Sequence, residues 1–220
     1  MTFDLNRFPT LPHPDFRAAL AAEPVIAVVR APSIPDSAAL CAALTAGGIT
    51  CTELTFSTPD VVPHLRAAVA AGHRIGAGTV MNAQQAKDAI DAGVSFLVTP
   101  GLRPEVAEAA HEAGVPVMLG ALTPTEVAQA MDLGTTAVKI FPAKAFGPGY
   151  FKDLNGPYPG LPLVASGGVN AGNAADFLAQ GALAVCAGTD VVPPDVVAAG
   201  DWPEITRRAR AFMAALKKSA

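Results

Sequence analysis

Hydrophobic and polar positions along the chain fall into two alternating patterns. Ala-rich stretches of helical spacing end in a small residue plus glycine, and a short β-branched run begins at once. The closing glycines are Gly48, Gly72, Gly93, Gly114, Gly134 and Gly181, separated by 24, 21, 21, 20 and 47 residues, the last step being close to a double unit. A helix C-terminus favours a residue tolerant of positive φ, and each following run has strand composition and length. The repeat is therefore a strand–loop–helix module. The strands it predicts are 25–30, 51–56, 75–80, 96–100, 115–119, 137–142, 163–168 and 184–189.

Amphipathic or Ala-rich segments at 36–46, 60–71, 83–92, 104–113, 124–133, 150–154, 171–180 and 202–216 supply the helices. Several open with Pro or an acidic residue, as in Thr58-Pro59-Asp60, Arg103-Pro104-Glu105 and Thr123-Pro124-Thr125-Glu126. In a first helical turn a missing N–H costs nothing and a carboxylate suits the dipole. Strand–helix alternation means a parallel α/β sheet, and eight units in about 200 residues favour a closed (βα)8 TIM barrel over an open doubly wound sheet. An open sheet with a dinucleotide site would carry G-x-G-x-x-G after its first strand, where Val29-Arg30-Ala31-Pro32 stands instead. Residues 15–22 are expected to form a short extra helix plugging the bottom of the barrel. Residues 1–220 read as a single domain, with 1–24 as an N-terminal extension and helix.

Composition agrees with that architecture and narrows the function. A chain of 220 residues, 51% hydrophobic, buries one substantial core. The formal net charge is −4 and the 15 basic residues are scattered, so there is no electrostatic footprint for nucleic acid. No run reaches the roughly 18 apolar residues that span a bilayer. The first sixteen residues lack the apolar core of a signal peptide, so a cytoplasmic protein without membrane association is expected. Cys41, Cys51 and Cys186 are far apart and form no C-x-x-C, which suits reduced buried thiols rather than a disulfide or a zinc site.

Barrel active sites lie at the C-terminal ends of the strands, so polar residues there without a structural reason are the informative ones. In Ala137-Val138-Lys139-Ile140-Phe141-Pro142, alternation sends Val138 and Ile140 toward the helices and turns Ala137, Lys139 and Phe141 into the barrel. By the same rule Cys51, Glu53 and Thr55 face inward, and Glu53 is the one inward carboxylate within a strand. Desolvation disfavours a charged amine, and a neutral amine attacks ketones. The opposing reading is a buried ion pair, a poor stability device because desolvation consumes much of its Coulomb gain. Inward charges at this end of a barrel usually serve a ligand, which favours chemistry at Lys139 and Glu53. Lys87, Lys144, Lys152, Lys217 and Lys218 fall on helices or loops and read as solvated charges. His13, His64, His73 and His111 do not converge, so neither a metal nor another cofactor is expected.

The seventh strand ends in Ala165-Ser166-Gly167-Gly168-Val169-Asn170 and the eighth in Ala187-Gly188-Thr189-Asp190. Barrels often hold phosphate here on N–H groups exposed by glycines, although tight βα turns also demand glycine. Asp190 would repel an anion unless its side chain turns away.

With these residues assembled, the chain resembles the class I aldolases acting on 2-keto-3-deoxy-6-phosphogluconate and 4-hydroxy-2-oxoglutarate, from about residue 25 to residue 216. Glu53-Leu54-Thr55-Phe56-Ser57-Thr58-Pro59 is similar to the family's catalytic-glutamate segment, and Gly76-Ala77-Gly78-Thr79-Val80 to its third-strand motif. Thr99-Pro100-Gly101 is similar to its fourth-strand end, Val138-Lys139-Ile140-Phe141-Pro142-Ala143 to its Schiff-base motif, and Ser166-Gly167-Gly168-Val169 to its phosphate-binding turn.

The resemblance implies that Lys139 forms an imine and Glu53 shuttles protons. Thr79 would contact the pyruvate carboxylate, and Ser166, Gly167, Gly168 and Thr189, beside Gly188, would surround the distal phosphate. Arg30 matches a basic position near the substrate, and Pro100 and Phe141 complete the implied substrate-binding set. Ser57 stands where some members hold the carboxylate with arginine, which leaves the preferred keto acid open. Phe141-Pro142-Ala143-Lys144-Ala145-Phe146-Gly147-Pro148 also resembles the branch cleaving the galactonate epimer. The partners so implied are pyruvate, a phosphorylated aldehyde and, because members are commonly trimers, two further copies of the chain.

Overall fold

The computed structural model describes residues 11–218, so residues 1–10 of the expected N-terminal extension lie outside the described residues. Eight parallel strands close into a barrel in sequence order: β1 (Val25–Val29), β2 (Cys51–Thr55), β3 (Arg74–Gly78), β4 (Phe96–Val98), β5 (Val117–Ala121), β6 (Ala137–Ile140), β7 (Leu163–Ala165) and β8 (Ala182–Ala187). Around them run α2 (Ser37–Ala46), α3 (Val61–Ala70), α4 (Ala83–Asp91), α5 (Pro104–Glu112), α6 (Pro124–Asp132), α7 (Gly149–Asn155), α8 (Ala174–Ala179) and α10 (Trp202–Lys218). The six glycines that mark the repeat all adopt positive φ, between 66° and 103°. No helix among the described residues is long and apolar enough to cross a membrane.

Apolar side chains divide by strand alternation into two sets. Leu54, Val138 and Ile140 pack outward in the larger layer between strands and helices. Ile26, Cys51, Phe96, Met118, Val164 and Cys186 fill the barrel itself. The expected N-terminal helix is α1 (Pro14–Ala22), and it closes the floor. Its Leu20 is fully buried in the interior set, and the Phe16 ring lies 5.2 Å from that of Phe96. Buried Arg17 fastens the helix by donating to the carbonyls of Leu11 and Pro12.

Most departures from the expected boundaries sit at the tops of strands. Arg30, Phe56, Thr79, Pro100, Phe141 and Ser166 lie just beyond the last ladder residue and belong to the βα loops. Strand β5 starts two residues later than expected. The Val115 N–H closes α5 by donating to the Ala110 carbonyl, and Pro116 has no N–H to give the ladder.

Helix α3 begins at Val61, so Pro59 and Asp60 precede it and Asp60 caps nothing with its side chain. Helix α8 begins late because Asn170 Oδ1 accepts from the Gly172 N–H and Asn173 Oδ1 from the Asn170 N–H, making a turn of 170–173. Two elements went unforeseen, a 3-10 turn at Ala143–Ala145 and the short helix α9 (Pro194–Ala199).

Candidate active site

Glu53 and Lys139 meet inside the upper barrel, with Lys139 Nζ 3.6 Å from Glu53 Oε1. Their side chains are 1% and 8% exposed respectively, and neither carboxylate oxygen accepts a hydrogen bond from any described residue. A buried carboxylate whose one close partner is an ammonium nitrogen is costly to maintain. The strands hold it there by omission. Gly78 ends the neighbouring strand, and a Cβ on it would fall 1.9 Å from Glu53 Oε1. Beside Lys139 in the β5–β6 ladder stands Gly120, where a Cβ would lie 2.3 Å from the Pro100 carbonyl carbon. That gap lets the turn after β4 lean over the strand ends. Thr99 fixes the turn, its Oγ1 accepting from the Gly120 N–H at 3.2 Å and donating to the Gly101 carbonyl at 2.6 Å.

Above the pair opens a cleft of about 280 Å³. Of the residues singled out by sequence, Arg30, Lys139, Phe141, Ser166, Gly167, Gly168, Gly188 and Thr189 line it. The Phe141 ring centroid stands 5.8 Å from Lys139 Nζ. Glu53 lies beside Lys139 but does not line the cleft, and Ser57, Thr79 and Pro100 stand on the loops that follow their strands. Thr55 donates to the Val29 carbonyl at 2.9 Å, so the 2.9 Å contact between its Oγ1 and Ser57 is a bond that Ser57 donates. Thr79 has φ 54°, a left-handed conformation that a β-branched residue adopts only at a cost.

The far wall is built from the two glycine turns. Gly167 and Gly168 take φ of 87° and 84°, and the N–H groups of Gly167, Gly168 and Thr189 have no acceptor among the described residues. Asp190 turns away from the cleft, its Oδ2 accepting from the Ala171 N–H at 2.8 Å. The carboxylate that could repel an anion is thereby engaged elsewhere.

Sequence reasoning missed Cys186, Val192 and Pro194, which also line the cleft. Cys186 shares its orientation with Ala184 on β8, so alternation along that strand would have exposed it. Burial pushes its thiol up to about 12, which keeps it protonated beside Lys139. Val192 and Pro194 come with α9, whose signal was a proline at the first turn followed by Asp195. Among the described residues, no three His, Cys, Asp or Glu side chains gather as metal ligands would.

Comparison with known proteins agrees with this geometry. A family model described as KDPG and KHG aldolase matches residues 17–208. The chain is 36% identical over 186 residues to 2-dehydro-3-deoxy-phosphogluconate aldolase of Treponema pallidum, covering 83% of this chain and 88% of that protein. It superposes with TM-score 0.83 and 30% identity on the KDPG aldolase of Legionella pneumophila holding pyruvate as a covalent carbinolamine, covering 89% of this chain and 97% of that one. A structure described as native KDPGal gives the same TM-score and identity, covering 89% and 95% of the two chains.

Proposed function

The chain belongs to the KDPG and KHG aldolase family, and from that premise we propose that Lys139 is the amine that condenses with the C2 ketone of a 2-keto-3-deoxy sugar acid. The observation that carries the assignment is the buried Lys139–Glu53 pair, in which the carboxylate has no hydrogen-bond partner of its own. Such a carboxylate is free to exchange protons with a substrate. The covalent carbinolamine of the Legionella relative supports the same route.

In this reading the unprotonated Nζ of Lys139 adds to C2, and protonated Glu53 gives its proton to the departing hydroxyl, so that loss of water leaves Glu53 as the carboxylate and an iminium that serves as the electron sink. Glu53 removes the proton of the C4 hydroxyl, the C3–C4 bond breaks, and its electron pair moves into the iminium to leave an enamine. The aldehyde departs, Glu53 returns a proton to C3, and water hydrolyses the imine to pyruvate and free Lys139. Phe141 and Pro100 close the apolar side of the reacting carbons. Thr79 and Arg30 serve the carboxylate end together with the hydroxyl of Ser57. The turns at Ser166–Gly168 and Gly188–Thr189 receive the distal phosphate on their free N–H groups. The substrate assigned is 2-keto-3-deoxy-6-phosphogluconate, giving pyruvate and glyceraldehyde 3-phosphate. Cleavage of 4-hydroxy-2-oxoglutarate to pyruvate and glyoxylate would be a secondary activity.

The segment from Phe141 to Pro148 and the likeness to the KDPGal structure favour the galactonate epimer as second substrate. A cytoplasmic homotrimer is the assembly this reading carries, and sedimentation velocity checks it.

Borohydride reduction in the presence of pyruvate should add one reduced pyruvyl group to Lys139, read by peptide mass spectrometry. An unlabelled Lys139 would sink the imine. Lys139→Ala should lose cleavage by orders of magnitude. Comparing kcat/KM for the gluconate, its galactonate epimer and 4-hydroxy-2-oxoglutarate ranks the substrates.

A further inference from the structure

Lys144 reads from sequence as one solvated loop charge among several, and its side chain is indeed exposed. Its placement is nevertheless specific. The 3-10 turn that carries it is clamped to the end of β7, with the Ala143 N–H donating to the Ser166 carbonyl at 2.7 Å and the Lys144 N–H to the Gly167 carbonyl at 3.0 Å. A Cβ on Gly168 would meet Lys144 Cβ at 2.5 Å, Cδ at 2.8 Å and Cγ at 3.0 Å. The alkyl stem therefore runs across the face of Gly168 instead of away into solvent, and the ammonium sits two bonds past Cδ. It is anchored to the same turn that offers the unpartnered N–H groups of Gly167 and Gly168. Asp190, the nearest carboxylate in the adjoining turn, is held on the Ala171 N–H.

We propose that Lys144 is the cation that makes this site select an aldehyde bearing a phosphate monoester, by pairing with that phosphate at the Gly167–Gly168 turn. The inference rests on the aldolase reading and on its phosphate end, and adds the residue that sets the charge preference. A backbone cradle orients an anion but carries only partial charge, whereas a full positive charge at the rim distinguishes a dianion from an uncharged hydroxyl. Arg30 lines the cleft, whereas Lys144 stands behind Gly168 at its edge, so the substrate's two anionic ends need not compete for one cation.

The test runs in the aldol direction, with pyruvate and either D-glyceraldehyde 3-phosphate or D-glyceraldehyde, on wild type, Lys144→Gln, Lys144→Glu and Lys144→Arg. The quantity read is the ratio of kcat/KM for the phosphorylated over the unphosphorylated aldehyde. Lys144→Gln should lower that ratio about tenfold, chiefly through KM for the phosphorylated aldehyde, and Lys144→Glu should lower it further. Lys144→Arg should restore most of it. A ratio unchanged in both Lys144→Gln and Lys144→Glu overturns the proposal, as does an equal fall for both aldehydes, which would mean that the stem only packs the turn. Borohydride labelling of Lys139 with pyruvate separates the two levels. A labelled wild type with no preference for the phosphorylated aldehyde overturns the role of Lys144 alone, while an unlabelled wild type overturns the aldolase reading and this inference with it.

Discussion

The space around Glu53 is set by Gly78, a residue with no side chain of its own. With a Cβ at position 78 only 1.9 Å from Oε1, Gly78→Ala forces the Glu53 carboxylate to move or the strands to part. Proton transfer depends on placement to within about an ångström, and a displacement of that size costs about 100-fold. Gly78→Ala should therefore lower kcat/KM by about that factor while pyruvate still labels Lys139 under borohydride. Retention of full activity would show that Glu53 has room to spare. Lys139 and Glu53 themselves were legible in the sequence, because a period of two assigns each strand residue to one face and charge is conspicuous on an interior face. The reasons for Gly78 and Gly120 were not legible, since Gly78 answers to Glu53 on the neighbouring strand and Gly120 to the Pro100 turn that follows another. Register decides that neighbour, and the sequence does not print register.

At the scale of the element, the helix starts show which local signals survive into the fold. Thr123-Pro124-Thr125-Glu126 becomes a full capping box, with Thr123 Oγ1 accepting from the Glu126 N–H and the Glu126 carboxylate accepting from the Leu122 and Thr123 N–H groups, both at 2.8 Å. Those bonds hold the Glu126 carboxyl below its usual range. A carboxyl depressed in the fold contributes its stability in full above the ordinary value near 4.5, and that contribution fades as pH falls through the depressed one. Thr123→Ala should cost about 1 kcal/mol in urea melts at pH 7. Glu126→Gln should cost about 0.5 kcal/mol at pH 7, and the gap to wild type should narrow as pH falls below 4.5. A gap independent of pH across that fall would assign the effect to packing. Thr58-Pro59-Asp60 carries a similar signal yet lies before its helix, because Thr58 is tied to the loop after β1, its Oγ1 accepting from the Ala31 N–H at 3.3 Å. All eight strands were legible, six of them from the glycine repeat, whereas their upper ends were not. The residues there leave the ladder to form the loops that shape the cleft.

Across the whole molecule the two ends of the barrel do different work. The upper end carries a buried carboxylate that accepts no hydrogen bond and a left-handed Thr79, each a local cost. The lower end is closed by α1, where Leu20 is fully buried against the interior set and Phe16 stacks near Phe96. Gly76 belongs to that end too, since a Cβ there would lie 2.1 Å from the Phe96 ring, so the third-strand motif Gly76-Ala77-Gly78 makes room for the plug at one position and for Glu53 at the other. If stability is concentrated below and chemistry above, a cavity made under α1 should leave the reaction intact while weakening the fold. Leu20→Ala removes a fully buried side chain and should cost about 2–5 kcal/mol, measured by urea unfolding. At a temperature and denaturant concentration where the variant remains folded, its kcat and KM should match wild type within about twofold, because no residue of α1 lines the cleft and the barrel between them is packed in layers. A large fall in kcat in the folded variant would show instead that the plug holds β2 and β6 in the register that brings Glu53 to Lys139.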